Sequence, residues 1–359
     1  MYVYILYIKM TFYIIAEYIW LDANKKFRSK TKIIRPSPCE NKDYSHFSGY
    51  PKWDYDGSST GQADGKKSEI TLIPVFVCDN PLLLPSECNI HSSKLVLCET
   101  YNQDGKPTST NRRYSAEPLF DIYKEEKPWF GLEQEYFIFD KRIETTPHHL
   151  LFYETTEHYC GIGRDIEYRK LAEEHMLACI KAGITISGIN AEVSKNQWEF
   201  QIGPSEGILA ADELMIARFL LERIAEKYDT TISYEPKPFT HINGSGCHTN
   251  FSTLKMRTPS KDNTGLKEIC RVIDVLEKNH TEDIKHYGVS NELRLSGNHE
   301  TSSYGRFTWG VGDRGVSVRI NNSTYNAGYG YFEDRRPAAN MDPYLVTSML
   351  MMRSIDVDF

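Results

Sequence analysis

The 359-residue chain predicts an α+β fold with its strands and helices segregated. Three observations carry this expectation. The first hundred residues read as strands and turns with no long helical period. Beyond residue 106, three segments have helical apolar spacing. Between those segments lie short stretches rich in β-branched and aromatic residues.

In chain order, EYIWLD, the turn Ala23-Asn24-Lys25 and KFRSKTKII predict a hairpin. EITLIPVFV and KLVLCETY predict two further strands. The polar cluster Asn102-Gln103-Asp104-Gly105-Lys106-Pro107 marks a boundary, which places one domain at 17–105 and a second at 106–359. In the second, residues 165–182 predict a helix that stops at Gly183. Residues 207–228 predict another, with Leu209, Leu214, Ala217, Leu221 and Ile224 on one side. Residues 264–285 predict a third. ISGINAEV, QWEFQIGP, CHTNFST and VSVRI predict strands.

Hydrophobic residues make up 40% and charged residues 25%, as in a soluble globular protein. A formal net charge of −7 argues against general nucleic-acid binding. The 8 cysteines are scattered with no CxxC pair, so neither a zinc finger nor a disulfide scaffold is expected. Reduced thiols in the cytoplasm are the expectation. The apolar start, MYVYILYIKMTFYIIAEYIWLD, is interrupted by Lys9 and Glu17 and lacks a basic leader and a small-residue cleavage site. It reads as a soluble strand, and no membrane partner is expected.

GLEQEYF, residues 131–137, poses a chemical problem. Strand side chains alternate, so Glu133 and Glu135 face one way and Leu132, Gln134 and Tyr136 the other. Two neighbouring carboxylates at low dielectric need a positive partner. Salt bridges are one solution and a divalent cation is the other. More acids recur on apolar strands: Glu192 in INAEV, Glu199 and Gln201 on one face of QWEFQI, and Glu333 in GYFEDRRP. His248 follows a glycine-rich turn. An oxygen-rich set with one imidazole favours Mg²⁺ or Mn²⁺ over zinc, and no DxDxDG loop suggests calcium. Arginines cluster too, at Arg294, Arg314, Arg319, Arg335 and Arg336, and their forked donors suit phosphate and carboxylate. They either grip an anionic substrate or merely neutralise the glutamates. No GxxxxGK[ST] loop, kinase HRD or DFG set, or GxSxG elbow is present.

Eight segments taken together resemble the glutamine synthetase family of the shorter eukaryotic type. They are WDYDGSST, PWFGLEQEYF, NAEV, QWEFQIGPSEG, NGSGCHTNFST, RLSGNHETS, VGDRGVSVRI and GYFEDRRPAAN, and they stand in the family's order from about residue 17 onward. The resemblance implies a small N-terminal β-grasp domain and a catalytic domain with a curved antiparallel sheet and flanking helices. It implies ATP-dependent ligation of ammonia to L-glutamate through γ-glutamyl phosphate. It also implies a homo-oligomer, a decamer of two pentameric rings with active sites between subunits.

By position, the resemblance makes Glu135, Glu192 and Glu199 the ligands of one cation and Glu133, His248 and Glu333 those of another, with two or three Mg²⁺ or Mn²⁺ per site. It makes Asp56, supplied by the adjacent subunit, the residue that takes the proton from ammonium, and Glu300 the flap residue over glutamate. Asn243, Gly244, Arg294 and Arg335 become substrate contacts. Arg314 and Arg319 offset phosphoryl charge. Trp129, Asn250 and Tyr331 join the nucleotide side, with Glu133, Glu199 and His248 beside its phosphates. Without the resemblance, Asp56 reads as a turn former, Glu300 as a loop acid and Trp129 as core.

The sequence departs from the family pattern at four places. Residues 1–15 replace or lack the usual N-terminal helix. His241-Ile242 precede Asn243. Asp313 stands beside Arg314, where it could pair with that arginine. Residues 141–158 lack the usual Gly/Pro/Trp character. Two other readings share the same residues: a γ-glutamyl ligase using another amine, and a non-catalytic structural member of the fold.

Overall fold

The computed structural model describes residues 13–36, 42–83, 90–140, 158–163, 166–240, 242–260, 264–298 and 301–356. Glu300, His241 and segment 141–157 lie outside the described residues, as do residues 1–12. The chain divides into two compact units. One runs to Tyr114 and includes Lys181–Gly183. The other comprises Ser115–Ile180 and the chain from Ile184 onward.

In the first unit, β1 (Tyr13–Leu21) and β2 (Phe27–Ile34) form the expected hairpin. Asp22 closes its turn by accepting hydrogen bonds from the Asn24 and Lys26 amides at 2.8 and 3.0 Å. That local acceptor lets Lys25 take a positive φ of 60°. β3 (Trp53–Asp56), β4 (Glu69–Asp79) and β5 (Ile90–Tyr101) complete a sheet of order β2-β1-β5-β4-β3. β1 and β5 run parallel near the middle of this sheet. Alternation along β1 sends Ala16, Tyr18 and Trp20 into one core, where Trp20 packs on Tyr55 with ring centroids 4.5 Å apart.

The second unit is built on a curved, largely antiparallel sheet. Its strands are β6 (Trp129–Asp140), β7 (Ile186–Ala191), β8 (Gln197–Glu206), β9 (Thr230–Ser233), β10 (Cys247–Ser252), β11 (Trp309–Val311), β12 (Val318–Ile320) and β13 (Phe332–Asp334). Their order is β11-β12-β13-β10-β6-β8-β7, with β9 on the far end of β6. The α+β class expected from the sequence is the class observed. Helices cover one face. The helix Leu209–Ala225 is buried along most of its length. From it, Arg218 donates to Gln134 Oε1 at 2.8 Å and to the Met341 and Ala339 carbonyls at 3.0 Å. That anchors the chain after β13 behind β6.

The three expected helices occur, with shorter bounds: Arg169–Ala182, Leu209–Ala225 and Gly265–Asp283. Among the described residues, the two longest of the remaining helices, Arg113–Ile122 and Pro343–Ser354, are not expected from the sequence. The first carries Pro118, which reads as a breaker. The second is buried on nearly all sides, so its residues carry no amphipathic period. Asp342 still caps it, accepting from the Tyr344 and Leu345 amides at 3.1 and 3.3 Å.

Candidate functional site

Strand register assembles the acids. Across β6 and β8, Glu135 pairs directly with Glu199 and Glu133 with Gln201. Across β6 and β10, Glu133 pairs with His248. Across β12 and β13, Glu333 pairs with Arg319. Period-two alternation then delivers all these side chains to one face. Glu133, Glu135, Glu192, Glu199, His248 and Glu333 line a single cavity of about 710 Å³. Gln134 turns to the opposite face, fully buried, as alternation requires.

Glu133, His248 and Glu333 bring one potential ligand atom each to within 4.8 Å of one another. His248 Nδ1 sits 3.5 Å from Glu133 and 3.4 Å from Glu333. Burial, followed by the charge of Arg335, holds the imidazole well below its ordinary value, so it is neutral and able to ligate. Asn250 steadies Glu133, donating to Oε1 at 2.8 Å.

The second group is Glu135, Glu192 and Glu199. Burial, and then the Glu192 charge, pushes Glu135 up to about 8. Burial raises Glu192. Burial and the charges of Glu133, Glu192 and Glu135 raise Glu199 well above the usual carboxylate range. Like charges facing across a ladder are destabilising. Five carboxylates and one imidazole form the donor set of a hard divalent cation, and a cation is the partner that would relieve this crowding. The residues present fit such an ion.

The arginines divide between roles. Arg319 Nε and Arg335 Nη1 bind the two oxygens of Glu333 at 2.5 and 2.7 Å. Neutralising a glutamate is thus part of what they do, and both still line the cavity with Arg314 and Arg294. Arg294 is buried and donates to the Arg335 and Arg336 carbonyls at 2.8 and 3.3 Å. Burial lowers it to about 10. It packs against the turn that holds Asn243 and Gly244. A Cβ on Gly244 would lie 2.3 Å from the Pro236 carbonyl oxygen, and one on Gly246 2.5 Å from Arg294 Nη2. That close approach accounts for the glycines in NGSG. Asp313 accepts from the Gly315 amide at 2.8 Å and so shapes the loop that carries Arg314.

A second cavity of about 530 Å³ shares Glu133 and Gln201 with the first and is lined mostly by apolar surface. Trp129, Tyr331, Asn250 and Arg257 belong to it. Trp129 is 40% exposed, which corrects its reading as core. Its Nε1 donates to Glu206 at 3.2 Å, and the Arg257 guanidinium lies 4.0 Å from its ring centroid.

Asp56 belongs to the first unit. It ends β3 and caps the turn Gly57–Thr60, accepting from the Ser58 and Ser59 hydroxyls at 2.7 Å. Those hydroxyls, Ser59 first, hold it at about 2. The turn-forming reading of Asp56 is thus seen directly.

Sequence reasoning missed Gln197 and Asn190. Gln197 Nε2 donates to Glu135 at 3.3 Å, the Gly244 carbonyl at 2.9 Å and Ser245 Oγ at 3.1 Å, joining the glycine turn to the acid strand. Its position two residues before Glu199 was the available signal.

An α+β domain with an acid-lined curved sheet and an adjoining apolar cavity defines the class, a catalytic domain of the glutamine synthetase type. The family model for the glutamine synthetase catalytic domain matches residues 113–273. The chain belongs to the glutamine synthetase family. It is 46% identical over 341 residues to the glutamine synthetase of Kluyveromyces lactis, covering 94% of this chain and 87% of the relative. The Saccharomyces cerevisiae glutamine synthetase is also 46% identical over 341 residues, with 94% and 88% covered. Glutamine synthetase PR-1 of Phaseolus vulgaris is 45% identical over 346 residues, with 94% and 92% covered. Among the described residues, no helix is long and apolar enough to cross a membrane.

Proposed function

We propose that this chain joins ammonia to L-glutamate in a reaction driven by ATP, giving L-glutamine, ADP and phosphate. One observation carries the reading. Two groups of carboxylates share a cavity wall with arginines, beside an apolar cavity of the size and lining a nucleotide base needs.

Glu135, Glu192 and Glu199 would hold one divalent cation, Mg²⁺ or Mn²⁺, and Glu133, His248 and Glu333 the other. When bound, such ions supply neutralisation of the ATP phosphates and of the carboxylate nest. Arg294, Asn243 and Gly244 would hold the amino-acid end of glutamate. Arg314, Arg319 and Arg335 would face the phosphoryl group, because a guanidinium carries more donors than one carboxylate uses. A γ-carboxylate oxygen of glutamate attacks the terminal phosphorus and the bond to ADP breaks. Ammonium gives up one proton to water, the ammonia so formed attacks the activated carbonyl carbon, inorganic phosphate leaves, and the nitrogen sheds its second proton to that phosphate. Asp56 of a neighbouring subunit would attract the ammonium ion, and Glu300 would cover the reacting atoms from water. With this reading go a β-grasp domain over 17–105, a catalytic domain over 106–359, and a cytoplasmic homo-oligomer of two stacked pentamers in which a neighbour's 17–105 domain supplies Asp56. Phosphate release that requires glutamate and ammonium together, with glutamine formed, tests the activity. Release stimulated only by another amine overturns it.

Two predictions arise here. The raised carboxylates hold protons that a cation must displace. Mn²⁺ affinity therefore rises as pH goes from 6 towards 8, roughly the window over which Glu135 ionises, and binding releases protons. In metal-free protein the same carboxylates lose stability as pH rises through their raised values, since the folded state binds the extra protons. Calorimetry in buffers of different ionisation enthalpy measures the proton release, and pH-independent binding without it contradicts the assignment. Trp129→Ala should weaken ADP binding about tenfold or more, the scale of one base–aromatic stack, with little change in melting temperature. Unchanged ADP affinity in a competition assay puts the base elsewhere.

A further inference from the structure

β7 and β8 carry two amides, Asn190 and Gln201, that have no part in the reaction described above. Gly188 pairs with Gln201, and Asn190 with Glu199. Asn190 Nδ2 donates to Glu192 Oε1 at 2.9 Å. Gln201 Nε2 donates to Asn190 Oδ1 at 2.7 Å and also to Glu199 Oε1. The chain therefore runs Glu192–Asn190–Gln201–Glu199 with a carboxylate at each end. With a cation bound both carboxylates are ionised and only accept, so each end then demands an N–H. That fixes the orientation of both amides: Asn190 presents its NH₂ to Glu192 and its carbonyl to Gln201, whose NH₂ serves both remaining acceptors. Hydrogen bonds of this kind also favour the ionised carboxylates.

Gly188 leaves room for the chain. A Cβ at that position would lie 2.4 Å from Gln201 Oε1. A Cβ there would displace the Gln201 amide, the far end of its side chain, from the position in which it reaches Asn190. The other three candidate ligands are braced by different groups, Asn250 for Glu133 and Arg319 and Arg335 for Glu333, with Arg294 Nη2 3.3 Å from His248 Nε2. The two groups of ligands are thus supported separately.

We propose that Asn190 and Gln201, with the space left by Gly188, are positioning residues for the cation site formed by Glu135, Glu192 and Glu199, and not for the site formed by Glu133, His248 and Glu333. The amides hold one oxygen of Glu192 and one of Glu199 so that the pair meets the ion preformed. The inference rests on the cation reading given under Proposed function.

The test is a Mn²⁺ titration of the full chain followed by electron paramagnetic resonance of free Mn²⁺, with no turnover involved. Wild-type protein should show two classes of site, and Glu333→Gln should weaken one. Gln201→Leu and Gly188→Ala should each weaken the other class about 10- to 100-fold, the usual cost of removing a ligand's hydrogen-bond support. The class lost in Glu333→Gln should be unchanged in both. Gly188→Ala adds one methyl group in a strand where φ is not positive, so its metal-free melting temperature should match wild type. Equal weakening of both classes, or none in either variant, overturns the positioning role. Wild-type protein that takes up no Mn²⁺ overturns instead the cation reading beneath it.

Discussion

Glu333→Gln should lower glutamine formation by about 10²- to 10³-fold, the scale seen when one preorganised charge contact at a reacting centre is lost. Glu333 stands where three groups converge, with His248 Nδ1 at 3.4 Å, Arg319 Nε at 2.5 Å and Arg335 Nη1 at 2.7 Å. Glutamine keeps the volume and one acceptor. Its NH₂ then faces one of the arginines, donor against donor, and the cation site loses a charged ligand. Breaking a buried pair from one side costs about 3–5 kcal/mol. Glu333 and Arg335 are buried and Arg319 keeps 22% side-chain exposure, so the loss here should fall towards the lower end, about 3 kcal/mol. Initial rates and thermal melts on the same preparation separate the two effects. A folded variant with near-normal turnover would falsify the ligand role of Glu333.

Asp56→Asn should lower kcat/KM for ammonium by about 10²-fold or more while sparing the turn. Asparagine retains an oxygen for the Ser58 amide, which lies 3.1 Å from Asp56 Oδ1, so the cap persists; the other oxygen, which accepts from the Ser59 hydroxyl at 2.7 Å, becomes an NH₂ that Ser59 must instead accept from. At about 2, the carboxylate is ionised at any working pH and is a weak proton acceptor. Its contribution is therefore attraction of the ammonium cation, and the loss should appear chiefly in KM for ammonium. Hydroxylamine, uncharged at neutral pH, should be used nearly as well by the variant as by wild type. Equal losses with both nucleophiles would make Asp56 a turn residue and nothing more.

Much of this geometry follows from local periodicity. Glu133 and Glu135 share a face because strand side chains alternate, and the same rule pairs Glu199 with Gln201. The helix Leu209–Ala225 is visible in its apolar spacing. The helix Pro343–Ser354 is not, because burial on nearly all sides removes the contrast that periodicity depends on. Trp129 misleads for a related reason: an aromatic at a strand end has the same local pattern whether it is packed or lines a cavity. Asn190 and Gln201 lie eleven residues apart, and their hydrogen bond depends on a strand pairing and on a missing methyl group at Gly188.

The sequence by itself determined the α+β class, the family, and which side of each strand carries acid. Those properties reside in short windows, where alternation, turn chemistry and residue type act over a few residues. Only the tertiary structure decided which acids meet. His248 and Glu133 are far apart in the chain and become neighbours through the register of β6 and β10. It also decided that Arg319 and Arg335 share Glu333, that Arg294 presses on a glycine turn, and that two amides link Glu192 to Glu199. Such contacts depend on the backbone separation between paired strands, a distance set by sheet hydrogen bonding.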